Sequence, residues 1–191
     1  MSASTCLPTS FSTFRNKKKQ MQNIAAKKLL NRFSYRYRLA RSFSSLVAPD
    51  VGKTLKGYNA IVKIFLTNTA FEVVIRAALI LKVSGTKSLE WTTLTRPELA
   101  QRIRTNKKLA KFILANSTDT GLQERISYML EGRTNDILPV CYALRNVFAH
   151  GELTPSAIGL TNNKQYALLG DIANAILDYC DQRFTECMSY L

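Results

Sequence analysis

From Ile64 to Leu81 the sequence is apolar in the main, interrupted by Asn68, Glu72 and Arg76. No proline or glycine breaks this run, so it reads as part of one long helix over about Lys56–Lys82. Between Phe71 and Leu81 it is hydrophobic on almost every side, as suits a helix enclosed by others. A membrane span is excluded, because a charged side chain at mid-bilayer costs about 2.5–3.5 kcal/mol. The chain therefore needs further helices to cover this one, and a soluble all-α bundle is the expected fold class.

The remaining pattern supplies them. Ser84, Gly85 and Thr86 end the long helix. A helix is expected to start at Arg96-Pro97, with proline in the first turn, where its missing N–H does no harm. Its core stripe is Leu99, Ile103, Ala110, Ile113 and Leu114. A short helix over about Gly121–Leu130 stops at Gly132. Another opens near Asp136, with Pro139 in its first turn, and runs to His150 before Gly151. A loop from Glu152 to Asn163 precedes the final helix, where Leu169, Ile172, Ala173, Ile176, Cys180, Phe184, Cys187 and Leu191 keep to one face. Phe65, Phe71 and Phe112 are assigned to the core.

The charge is uneven. Of 27 Lys and Arg residues, ten precede the first acidic residue of the arm's end, Asp50, and the remaining 17 face all 13 acidic residues. The net charge of +14 is thus mostly a property of residues 1–49, read as a basic N-terminal arm, flexible or helical, ahead of a helical domain over 50–191. Phe33, Tyr35, Tyr37 and Phe43 are threaded among its cations, a mixture that suits phosphates and stacked bases. A solvated tail has the same composition, and so does an organelle transit peptide, given the Ser/Thr-rich residues 2–13. The location expected is cytoplasmic, or organellar if the arm is a targeting signal.

The four cysteines, Cys6, Cys141, Cys180 and Cys187, form no C-x-x-C pair, and His150 is the sole histidine. No metal site follows from that spacing, and a disulfide framework does not suit a chain able to bury a core. A reducing compartment fits these residues. No cofactor is implied.

The chemistry-bearing segment is Ala143-Leu144-Arg145-Asn146-Val147-Phe148-Ala149-His150-Gly151. On a helix, Asn146 and His150 are one turn apart on the same face. Arg145 is rotated away from His150, but its side chain is long enough to reach a phosphate held there. Histidine takes or gives a proton near neutral pH, arginine forks two donors onto a phosphate, and asparagine can orient an imidazole or bind a phosphate oxygen.

This R-N-x-x-x-H segment resembles the R-x4-H signature of HEPN ribonucleases, in which a polar residue commonly follows the arginine. The glycine after the histidine and the upstream apolar helix bearing a glutamate, here Phe71-Glu72-Val73-Val74-Ile75-Arg76, add to the likeness, which extends over about Asp50–Leu191 as helix order. The resemblance implies a HEPN-like helical bundle and a metal-independent endoribonuclease, a toxin or defence effector acting on RNA, with a cognate antitoxin as a candidate partner. Arg145, Asn146 and His150 become the catalytic residues. HEPN ribonucleases are typically dimers, so the likeness implies a homodimer in which a second His150 supplies the second proton transfer. Glu72 and Arg76 become supporting residues: Glu72 is expected to pair with Arg76 one turn on, with Arg145, or with both. Tyr142, one turn before Asn146, is a candidate lining residue of the cleft.

Other readings stand beside this one. His150 at a helix end also complements the helix dipole without any chemistry. Arg104, Lys107, Lys108 and Lys111, spaced i, i+3, i+4, i+7, form a candidate RNA-binding stripe, although such a row is more often the solvated side of an amphipathic helix. The alternative function is a non-catalytic HEPN-like module that binds RNA or nucleotide, or mediates dimerisation.

Overall fold

A computed structural model describes residues 6–48, 54–117, 119–149 and 163–191. Among them the protein is all-α: eight helices, and no β-structure beyond an isolated bridge between Thr95 and Asp136. The helices are α1 (Phe11–Lys17), α2 (Ile24–Ser42), α3 (Leu55–Ile80), α4 (Pro97–Thr105), α5 (Lys107–Asn116), α6 (Thr120–Leu130), α7 (Leu138–Ala149) and α8 (Asn163–Met188). No helix among the described residues is long and apolar enough to cross a membrane.

The chain divides into two compact units. The first comprises Met1–Phe43, Leu66–Thr92 and Ala175–Leu191; the second comprises Ser44–Phe65 and Thr93–Asn174. This division differs from the arm and domain read from sequence, because the N-terminal segment is built into the first unit's core. Phe14, Leu30 and Phe33 are buried there. Phe14 and Phe33 lie against Phe184 of α8, with ring centroids 5.7 and 5.0 Å away. Each such side chain withdrawn from water contributes about 1.5–3 kcal/mol before conformational entropy is subtracted. Polar contacts add to this: Thr9 N–H donates to the Asp181 carboxylate at 2.7 Å, and Lys17 Nζ to the Met188 carbonyl at 3.0 Å. Arg41 stacks on the Tyr37 ring, donates through Nε to the Tyr37 hydroxyl and pairs with Asp178. Two of the aromatics suited to stacking on bases, Phe33 and Tyr37, are therefore core residues. Composition concealed this: Lys28, Arg32 and Arg38 lie on the solvent side of an amphipathic helix whose other side is apolar, while Arg36 and Arg41 are half-buried and bonded to Thr69 and Asp178.

The first unit's share of α3 is enclosed as expected, with Phe71, Val73, Val74, Ile75, Ala77 and Ala78 all buried. Its helix ends where Lys82 and Gly85 take positive φ, consistent with the breaker read at Ser84–Thr86.

In the second unit α4, α5, α6 and α7 pack on one another, burying Leu99, Ile103, Leu109, Ile113, Ile126, Met129, Leu144 and Val147. The single helix expected from Pro97 to Leu114 is two. Asn106 closes α4, and its side-chain oxygen accepts from Leu109 N–H at 3.2 Å to open α5. A short polar side chain that can satisfy a free backbone donor favours such a break. Gly132, at φ +83°, stops α6 as read.

Candidate functional site

Helix α7 carries the R-N-x-x-x-H segment, and its start is fixed by a buried carboxylate. Asp136 Oδ1 accepts from Leu94 N–H at 2.8 Å and Leu138 N–H at 3.2 Å, while Oδ2 accepts from Arg125 Nη2 at 2.8 Å. The Asp136 side chain is only 6% exposed. Burying a carboxylate is tolerable when backbone donors and a guanidinium share its charge. Backbone bonds from Arg96 N–H to Asn135 O and from Ile137 N–H to Leu94 O complete the anchor. Sequence reasoning placed a helix start near Asp136 but missed this role; an aspartate just ahead of a proline-containing first turn was the available signal.

From that anchor α7 buries Val140, Ala143, Leu144 and Val147. Tyr142, Arg145, Asn146 and Ala149, at i, i+3, i+4 and i+7, share the other side, and the first three are half-buried. The two motif residues described touch each other: Arg145 Nη1 donates to Asn146 Oδ1 at 2.9 Å. The Tyr142 hydroxyl and Arg145 Nε are both shielded from solvent. Phe148 meets Phe65 of α3 at 5.6 Å between ring centroids, tilted 59°. That contact ties the last turn of α7 to the second unit's part of α3. A half-buried guanidinium is a stronger donor than an exposed one, since less water competes for it. His150 and Gly151, with the expected loop that follows them, lie outside the described residues.

The same helix holds Cys141, fully buried, whose thiol is pushed well above its ordinary range by desolvation first and by the nearby Asp136 charge second. It is a packing residue and no nucleophile.

Three expectations need correction. Arg104 is no part of a free basic stripe: Nε donates to Met129 O at 2.7 Å, and Nη2 to Thr134 O and to Asn135 Oδ1 at 2.7 and 2.8 Å. Those acceptors lie where α6 ends and the chain turns toward α7, so Arg104 fastens that turn to α4. The stripe itself is divided, because Arg104 belongs to α4 while Lys107, Lys108 and Lys111 belong to α5, where all three are exposed. Arg76 does not partner Glu72: it is exposed and makes no ion pair among the described residues, whereas Glu72 is half-buried. Glu72 belongs to the first unit and Arg145 to the second.

No family model, no curated protein and no solved structure matches this chain.

Proposed function

We propose that this protein is a HEPN-type, metal-independent endoribonuclease, acting on RNA as a toxin or defence effector and working as a homodimer. The observation that carries the reading is the Arg145–Asn146 pair on the half-buried side of α7, one turn before the chain's sole histidine in an R-N-x-x-x-H sequence. Its support is the sequence likeness, the all-α fold and the partial burial of Arg145.

In this reading the ribose 2′-hydroxyl attacks the adjacent phosphorus. The P–O5′ bond breaks, leaving a 2′,3′-cyclic phosphate on one product and a 5′-hydroxyl on the other. A neutral His150 accepts the 2′-hydroxyl proton, and a protonated His150 from the second protomer delivers one to the departing 5′-oxygen. Arg145 forks onto the non-bridging oxygens as charge accumulates there. Asn146, with its side-chain oxygen already engaged by Arg145, presents its NH2 to a phosphate oxygen or to the imidazole. Because one chain holds one histidine, the protomer alone lacks the second proton carrier.

The test is a labelled single-stranded RNA incubated with the parent and with His150→Ala. The parent cleaves and the variant does not, while both give the same circular dichroism melt. Specific activity also falls on dilution below the dimer's dissociation constant, read alongside sedimentation. Cleavage by His150→Ala at the parental rate overturns the proposal.

A further inference from the structure

The outward side of α2 in the first unit has a composition that folding does not explain. Opposite the buried Ala26, Leu30, Phe33, Tyr37 and Ala40, successive turns expose Ile24, Lys28, Arg32, Tyr35, Arg38 and Leu39. Tyr35 is 64% exposed and lies between Arg32 at i−3 and Arg38 at i+3, with Lys28 two turns away. No acidic residue occurs before Asp50.

Two exposed arginines elsewhere are paired, Arg102 with Asp171 and Arg133 with Glu131, whereas Arg15, Arg76 and Arg96 make no ion pair among the described residues and stand apart from one another on different helices or loops. Lys28, Arg32 and Arg38 make no hydrogen bond or ion pair through their side chains among the described residues, and the Tyr35 hydroxyl makes none either. Lys28 and Arg32 stand one turn apart with like charge, an arrangement that destabilises a helix by a few tenths of a kcal/mol. A face whose charges are all cationic and uncompensated, with an exposed phenol ring among them, is complementary to a chain of phosphates carrying unpaired bases. The cations track the backbone, and the ring offers a stacking surface indifferent to base identity.

We infer that the exposed side of α2 is a binding tract for single-stranded RNA, with Tyr35 stacking on a base and Lys28, Arg32 and Arg38 contacting phosphates. From Lys28 to Arg38 the tract is about 15 Å long at ~1.5 Å per residue, room for several phosphates. An anionic membrane fits less well. A helix lying in the headgroup region buries a continuous apolar face, and that face of α2 is already inside the first unit's core. The tract does not depend on the cleavage reading, since a non-catalytic chain would bind through it equally.

The test uses the full chain carrying His150→Ala, so that substrate survives, and an unstructured fluorescein-labelled RNA followed by anisotropy. Tyr35→Ala weakens binding about tenfold, the loss of one stacked base, while Tyr35→Phe binds like the parent. Lys28→Glu with Arg32→Glu lowers the slope of log K against log salt by about 1.4, two phosphate contacts at ~0.7 each. All these positions are exposed, and thermal melts confirm that folding is unchanged. The inference is overturned if Tyr35→Ala binds as tightly as the parent. It is equally overturned if the double reversal leaves the salt slope unaltered, or if phosphatidylserine vesicles capture the protein while RNA does not. Cleavage persisting in His150→Ala overturns the ribonuclease proposal alone, so the two failures are told apart.

Discussion

Arg145 and Asn146, neighbours in sequence, are joined through their side chains, guanidinium Nη1 to amide Oδ1 at 2.9 Å. The bond turns the amide oxygen toward the arginine and leaves the amide NH2 as the group Asn146 can offer. It also restrains a long side chain that would otherwise sample many rotamers, so in the proposed reaction less entropy would be lost on docking a phosphate.

Two substitutions separate these roles. Arg145→Ala removes the donor fork and lowers kcat by about 10²–10³, the usual effect of deleting one donor to developing charge. Asn146→Asp keeps the shape but replaces a neutral acceptor with a carboxylate, which holds the guanidinium more tightly and repels phosphate. The expected loss is about tenfold or more, from a charge-assisted bond worth ~1.5–3 kcal/mol. Single-turnover cleavage at saturating enzyme reads both. Parental rates in both variants would remove Arg145 and Asn146 from the reaction.

Asp136 is expected to be the costliest surface-distant change in the second unit. Asp136→Ala removes the carboxylate that Arg125 holds and leaves the N–H groups of Leu94 and Leu138 without their acceptor. Breaking a buried pair costs about 3 kcal/mol or more. Urea unfolding followed by circular dichroism measures it, and a change below ~1 kcal/mol would contradict the anchoring role. Any loss of activity should track the unfolded fraction.

Arg104→Lys should destabilise by about 1–2 kcal/mol although it keeps the charge. A lysine cannot reach the Met129 and Thr134 carbonyls and Asn135 together from one planar group. Lys107→Ala, on the exposed side of α5, should leave the melting temperature unchanged. Equal effects of the two substitutions would restore the single basic stripe.

Much of the helix order was legible because apolar spacing and breakers act locally. Pro97, Gly132 and Pro139 each marked a boundary, and the α8 core face was readable residue by residue. What was not legible depended on partners distant in sequence. Nothing near Phe14 or Phe33 announces that Phe184 will cover them, so α1 and α2 looked like a separate arm. Asn106 was hidden because a helix-compatible apolar stripe continues across it, and only the competing cap bond at Leu109 decides the break. Arg104 looked like part of a charge row because spacing cannot tell a solvated guanidinium from one satisfied by carbonyl and amide acceptors. The motif was conspicuous in sequence, whereas the support beneath it, from Asp136 to Arg125 and Leu94, was not.

The three buried thiols make the stability depend on alkaline pH. Desolvation pushes Cys141 and Cys180 far up and Cys187 to about 12, so the folded state holds these protons more tightly than the unfolded chain does. Above the ordinary thiol value of 9.0 the unfolded chain sheds them first. The native state then binds more protons, and stability falls with rising pH. For Cys187 the stabilisation is complete below about 9 and is lost progressively as pH rises toward about 12. Urea midpoints between pH 8 and 11 should decline, and less steeply in Cys187→Ala. Below pH 9, native protein should expose only Cys6, the half-buried thiol, to Ellman's reagent. Rapid labelling of all four without denaturant would contradict the packing described.

The most direct test of the central claim is cleavage of two substrates in excess EDTA: an RNA, and the same sequence lacking its 2′-hydroxyls. The account predicts that the RNA is cut with undiminished rate to products ending in 2′,3′-cyclic phosphate, identified by mass, while the deoxy strand is untouched. Cleavage that stops in chelator, or that proceeds on the deoxy strand, would contradict it.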